Sequence, residues 1–137
     1  MAKAKMPHER VLLDTNVVIA LFAGHPAVSE RVAGKGALFL PVPVLGELYR
    51  GALGSSRRSE NLRRLEQFAE AVAVLPCDAT TARHYGEVKQ AQLERGRPIP
   101  ENDFWIAALA AQHSLSVMTR DRHFKELQGV EVDFVDL

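Results

Sequence analysis

Apolar residues come along this chain in short dense runs, separated by stretches with helical spacing. The runs at 10–13, 37–40, 72–75 and 116–119 leave little room for a solvated face, as expected of parallel strands covered on both sides. Residues 130–135 read as a last strand at the sheet edge. Between the runs, helices are predicted at 17–23, 27–33, 43–52, 59–71 and 79–94, with Asp78 capping the last of these. A short helix is expected at 121–127. Gly24 with Pro26, Gly34 with Gly36, Pro41, Gly54-Ser55-Ser56, Pro76 and Gly129 supply the stops. The 59–71 helix is amphipathic, with Leu62, Leu65, Phe68 and Ala69 along one stripe. The helix of 100–111, PENDFWIAALAA, is different: from Phe104 to Ala111 it has no polar face, so it should be buried nearly all round. Pro100 and Asn102 are helix-start residues, and Asp103 falls in the first turn, where the helix dipole favours an anion.

Strands alternating with helices, without repeats or low-complexity segments, define an α/β fold with a mainly parallel sheet and right-handed crossovers. The 137 residues fit one domain, spanning 9–137 after a loose basic tail at 1–8. That tail lacks the apolar stretch of a signal peptide, and no run reaches membrane-spanning length. Cys77 is the only cysteine, which excludes a disulfide framework within one chain and fits a reducing cytoplasm. Lying between a strand end and a cap, it is expected to be small and buried. Lys and Arg total 17, as do Asp and Glu, so bulk charge gives no argument for nucleic acid. A basic rim around an acidic pocket would also sum to zero. Arg57, Arg58, Arg63, Arg64, Arg95, Arg97, Arg120, Arg122 and Lys125 could supply one.

In parallel sheets, sites form beyond the carboxyl ends of the strands. Asp14 directly follows the strand at 10–13, and Asp121 closely follows the strand at 116–119. Asp103 opens the helix that leads into that second strand, so it starts near the same sheet edge. Glu47 shares a helix face with Val44, Leu48 and Gly51, a face expected to point inward, where a glutamate is costly without a partner. Each acid could serve only as a cap or a solvated side chain. Together, four carboxylates would repel and raise one another's pKa unless a divalent cation neutralised them. All-oxygen ligands suit Mg²⁺ or Mn²⁺, which can activate water and polarise a phosphodiester. The five histidines lack paired-ligand spacing and are expected to be surface or core residues. No P-loop, GxSxG or GxGxxG motif occurs.

Four blocks carry a family resemblance: VLLDTNVVI at 11–19, PVLGELYRGA at 43–52, ENDFWIAALA at 101–110 and VMTRDRHF at 117–124. In this order they resemble the PIN-domain nucleases, and more narrowly the VapC-type ribonuclease toxins of toxin–antitoxin pairs. The resemblance implies a PIN-like three-layer α/β/α sandwich with about five strands, and metal-dependent cleavage of RNA. Asp14, Glu47, Asp103 and Asp121 match the family's acidic quartet, Thr119 its Ser/Thr near the metal, and Asn16 a polar residue that orders the site. Glu101 is an extra acid outside that set. A small antitoxin partner and a homodimer are implied as well. Weighed beside this reading are a PIN nuclease of RNA processing without a toxin role, a non-catalytic RNA-binding PIN scaffold and a phosphoacceptor signalling domain. The full quartet disfavours the scaffold. Asp14 stands alone after its strand and no lysine lies in 130–135, which disfavours the phosphoacceptor. Asn16 in place of an aspartate disfavours a phosphatase of the Asp-x-Asp kind.

Overall fold

In the strand β1 (Arg10–Leu13), Val11, Leu12 and Leu13 are all fully buried. Successive strand residues point to opposite faces, so both faces of the sheet are covered there. The same holds for β4 (Ser116–Thr119), whose four residues are all buried. With β2 (Ala37–Pro41), β3 (Ala73–Leu75) and β5 (Val132–Phe134), these strands form one sheet in the order β3-β2-β1-β4-β5. Every pairing is parallel, with Leu12 opposite both Phe39 and Val117. The computed structural model describes residues 9–136; the predicted tail at 1–8 lies outside them.

Helices on both faces make this a three-layer α/β/α sandwich. They are α1 (Thr15–Phe22), α2 (Pro26–Ala33), α3 (Val42–Leu53), α4 (Arg58–Ala71), α5 (Ala79–Glu94) and α6 (Glu101–His113). None of them is long and apolar enough to cross a membrane. α6 is the buried helix anticipated from its apolar run: Phe104, Ile106, Ala107, Ala108, Leu109 and Ala110 are all buried. It ends on Ser114, held in the left-handed region at φ 54°.

β2 and β3 extend the sheet to one side of β1, while β4 and β5 extend it to the other. The connections leaving β1 and β4 therefore diverge, opening a crevice at their carboxyl ends. Asp14 follows β1 and Asp121 lies just beyond β4, so the topology brings them to one place.

Some boundaries differ from expectation. The 121–127 segment is a 3-10 turn, Arg122–Glu126, rather than an α-helix. The last strand shrinks to three residues, Val132–Phe134 in register with Val117–Thr119, with Glu131 and Val135 adding one backbone hydrogen bond each to β4 at its ends. On β5, Asp133 is buried and held by Lys35 at 2.6 Å and by Arg31. Arg31 also donates to the Phe134 carbonyl, so α2 clamps the edge strand. Cys77 is exposed rather than buried, because β3 and the segment after it lie at the sheet's open edge.

Candidate active site

Asp14 takes its position from β1 and from the first turn of α1, which it caps. Its Oδ1 accepts from the Thr15 backbone N–H at 2.8 Å. Its Oδ2 accepts from Thr119 Oγ1 at 2.7 Å and from Asn16 Nδ2 at 3.2 Å. Thr119 Oγ1 in turn accepts from the Asp121 backbone N–H at 2.9 Å. Asn16 Oδ1 accepts from the Arg120 backbone N–H at 3.0 Å. Asn16 and Thr119 thus fasten the end of β1 to the turn after β4, with Asp14 between them.

Asp103, in the first turn of α6, is only 9% exposed. Its Oδ2 is buried without a hydrogen-bond partner among the described residues. Asp121 caps the 3-10 turn, its Oδ1 accepting from the His123 backbone N–H at 2.9 Å. The His123 ring reaches the same oxygen, with Nδ1 3.0 Å away.

Glu47 corrects one expectation: it is exposed, not buried. Val44 and Leu48 of the same face are buried, but α3 opens onto the crevice at the turn between them. Glu47 sits at that rim and is held by hydrogen bonds. Thr15 Oγ1 donates to Oε2 at 2.7 Å, and Asn102 Nδ2 donates to Oε1. Asn102 also donates to the Pro43 carbonyl at 3.3 Å, tying α6 to α3. Glu101 faces away and pairs with Lys89 at 2.8 Å and with the Tyr85 hydroxyl. Thr15, Asn102 and His123 complete the arrangement; Asn102 was expected only as a helix-start residue and His123 only as a surface or core residue.

Burial pushes the Asp103 carboxyl up to about 7, and the charges of Asp14, Asp121 and Glu47 push the same way; His123 opposes them. Asp14 is also raised, chiefly by burial, with Glu47 and Asp121 adding and the bonds from Thr119 and Thr15 opposing. The four acids therefore sense one another across a single crevice. Such a group holds excess negative charge beside a buried oxygen that lacks a donor. A divalent cation answers both deficits, and the carboxylate donors fit Mg²⁺ or Mn²⁺. Ligand atoms of Asp103, Asp121 and His123 lie within 4.8 Å of one another.

Several basic side chains are engaged locally. Arg97 pairs with Glu126 at 3.3 Å, and Arg58 donates to the Leu53 carbonyl at 2.9 Å. Arg64 reaches the Phe22 carbonyl at 2.9 Å and lies over the Phe22 ring. Next to Glu47 an apolar pocket of about 330 Å³ opens between α1, α3 and α4, lined by Ile19, Phe22, Leu48 and Leu65 among others.

Comparisons with known proteins point one way. The PIN domain family matches residues 11–130. Ribonuclease VapC1 of Haemophilus influenzae strain R2866 is 33% identical over 123 residues, covering 87% of this chain and 90% of that protein. The tRNA(fMet)-specific endonuclease VapC of Shigella flexneri is 32% identical over 127 residues, covering 90% and 96%. In three dimensions, a chain in the structure of VapBC-1 from nontypeable Haemophilus influenzae superposes with a TM-score of 0.83 at 29% identity, covering 91% of this chain and 97% of that one.

Proposed function

The chain belongs to the PIN-domain family, among the VapC ribonucleases, and from that membership we propose that it is an endoribonuclease dependent on Mg²⁺ or Mn²⁺. It acts as the toxin of a toxin–antitoxin pair in the cytoplasm. The observation that carries the metal dependence is the partnerless, buried Oδ2 of Asp103 beside three further carboxylates.

Asp14, Asp103, Asp121 and Glu47 are the residues that would hold the cation. A bound divalent ion would polarise the scissile phosphodiester and lower the pKa of the attacking water. The chain's own work is positioning. Thr119 and Asn16 fix the Asp14 carboxylate through its Oδ2, so its orientation is set before RNA arrives. Thr15 and Asn102 hold Glu47 at the mouth, where an RNA backbone enters. Arg120 and Arg122, on the turn that carries Asp121, are exposed and suited to flanking phosphates.

The partners are RNA, an antitoxin and a second copy of the chain. The apolar pocket beside Glu47 supports the antitoxin, since it offers a peptide an apolar seat next to the acids. The test is cleavage of cellular RNA by the purified chain. Cleavage should stop with EDTA, return with Mn²⁺ or Mg²⁺, and be absent from the Asp14→Asn protein. Expression alone should arrest growth, and co-expressed antitoxin should relieve it. Undiminished cleavage in EDTA would refute the metal dependence.

A further inference from the structure

We propose that His123 supplies a nitrogen ligand to a cation held by Asp103 and Asp121, and that this ligand biases the site toward Mn²⁺ over Mg²⁺. The proposal rests on the metal-dependent reading above and specifies one coordination position within it.

Three observations carry it. First, ligand atoms of Asp103, Asp121 and His123 all fall within 4.8 Å of one another. An octahedral ion with bonds of about 2.1 Å places neighbouring ligand atoms about 3 Å apart and opposite ones about 4.2 Å apart, so small side-chain rotations suffice to close the group on one ion. Second, one member of the group carries an unsatisfied oxygen: Asp103 is 9% exposed, and its Oδ2 has no donor among the described residues. Third, the histidine is held close to its neighbour, with Nδ1 3.0 Å from Asp121 Oδ1, the separation of adjacent ligands on one ion. The local backbone explains that placement. Asp121 caps the turn by accepting from the His123 backbone N–H, so the two side chains leave the same tight turn side by side.

The chemical consequence follows from ligand softness. Carboxylates bind Mg²⁺ and Mn²⁺ alike, whereas an imidazole nitrogen favours transition metals over Mg²⁺. Asp14 is held by Thr119, Asn16 and Thr15, whereas His123 stands beside Asp121. The nitrogen therefore acts at the Asp121 side of the crevice.

The test uses the full chain, stripped of metal and titrated with Mn²⁺, with Mg²⁺ as competitor. Free Mn²⁺ is followed by electron paramagnetic resonance, and bound Mn²⁺ is examined for hyperfine coupling to nitrogen-14. The wild type should show that coupling, and His123→Ala and His123→Gln should lose it. In both variants the preference for Mn²⁺ over Mg²⁺ should fall by about tenfold or more. Wild-type protein that binds Mn²⁺ without nitrogen coupling overturns the His123 ligand and leaves the carboxylate site standing. An unchanged metal preference in both variants also overturns it. A wild type that binds no Mn²⁺, or an Asp103→Asn protein that binds it equally well, overturns the metal reading and the His123 ligand together.

Discussion

The hydroxyl of Thr119 donates a 2.7 Å hydrogen bond to Oδ2 of Asp14, joining residues 105 positions apart at the carboxyl ends of adjacent strands. The Thr119 Oγ1 that donates this bond also accepts the Asp121 backbone N–H, so one side chain organises two of the four acids.

Thr119→Val keeps the shape and removes that hydroxyl. Thr119 is fully buried, so the Asp121 N–H is left short of a partner, at a cost of about 1–3 kcal/mol. RNA cleavage should fall by about ten- to a hundredfold, as when a group that orients a metal ligand is lost. Denaturant melts and cleavage rates measured on the same preparation check both. A variant as active as the wild type would show that Asp14 needs no orientation from Thr119.

Asp103 should make the metal-free protein sensitive to pH. Its carboxyl stands at about 7 in the folded chain against an ordinary 3.8, so the folded state holds the proton more tightly than the unfolded state. The penalty for ionising it is absent below its ordinary value. It grows as pH rises through the interval and is complete above about 7, so metal-free stability should decline over that window. Asp14, also raised, adds in the same direction. Saturating Mn²⁺ should flatten the decline, because the ion replaces the proton. Melts from about pH 4 to pH 8, with and without the ion, measure this.

Asp103→Asn should separate stability from activity. Removing the charge should abolish cleavage, yet without metal and above about pH 7 the variant should melt no lower than the wild type, since it no longer holds a desolvated carboxylate among three others. A lower melting temperature under those conditions would mean that the carboxylate stabilises the fold by itself.

Glu47→Gln should leave stability within about 0.5 kcal/mol, because the residue is exposed at the rim. Cleavage should nevertheless drop, and the Mn²⁺ concentration giving half-maximal activity should rise. A titration of activity against Mn²⁺ distinguishes this from a simple folding defect.

Asp133→Ala addresses architecture rather than chemistry. It leaves Lys35 and Arg31 without their buried partner on β5, at a cost of about 3 kcal/mol. Thermal unfolding should move down, while the folded fraction keeps its cleavage rate per molecule.

Much of this site was legible in the sequence for a topological reason. Short apolar runs alternating with helices fix a parallel sheet, and acids directly after Leu13 and shortly after Thr119 then lie at one edge. The apolar run after Asp103 likewise foretold a buried helix, and the carboxylate in its first turn is buried with it. Glu47 shows where such reasoning stops. Helical spacing identified the face it shares with Val44 and Leu48, but not that the crevice opens at that turn and leaves it wet. His123 was expected to be only a surface or core residue, because its proximity to Asp121 is made by a 3-10 turn, and a two-residue spacing has no signature of its own. Asn102 and Thr15 reach Glu47 only through the packing of α6 and α1 against α3, which no local pattern encodes.

The two halves of the acidic crevice are made far apart in time. A ribosome adds about 5–20 residues each second, so about 5–20 s pass between the synthesis of Asp14 and that of Thr119, 105 residues later. Until β4 emerges and docks, the nascent chain has neither the hydroxyl that orients Asp14 nor Asp121. The four-acid crevice is therefore complete only once the last strands of the sheet have been made and have docked.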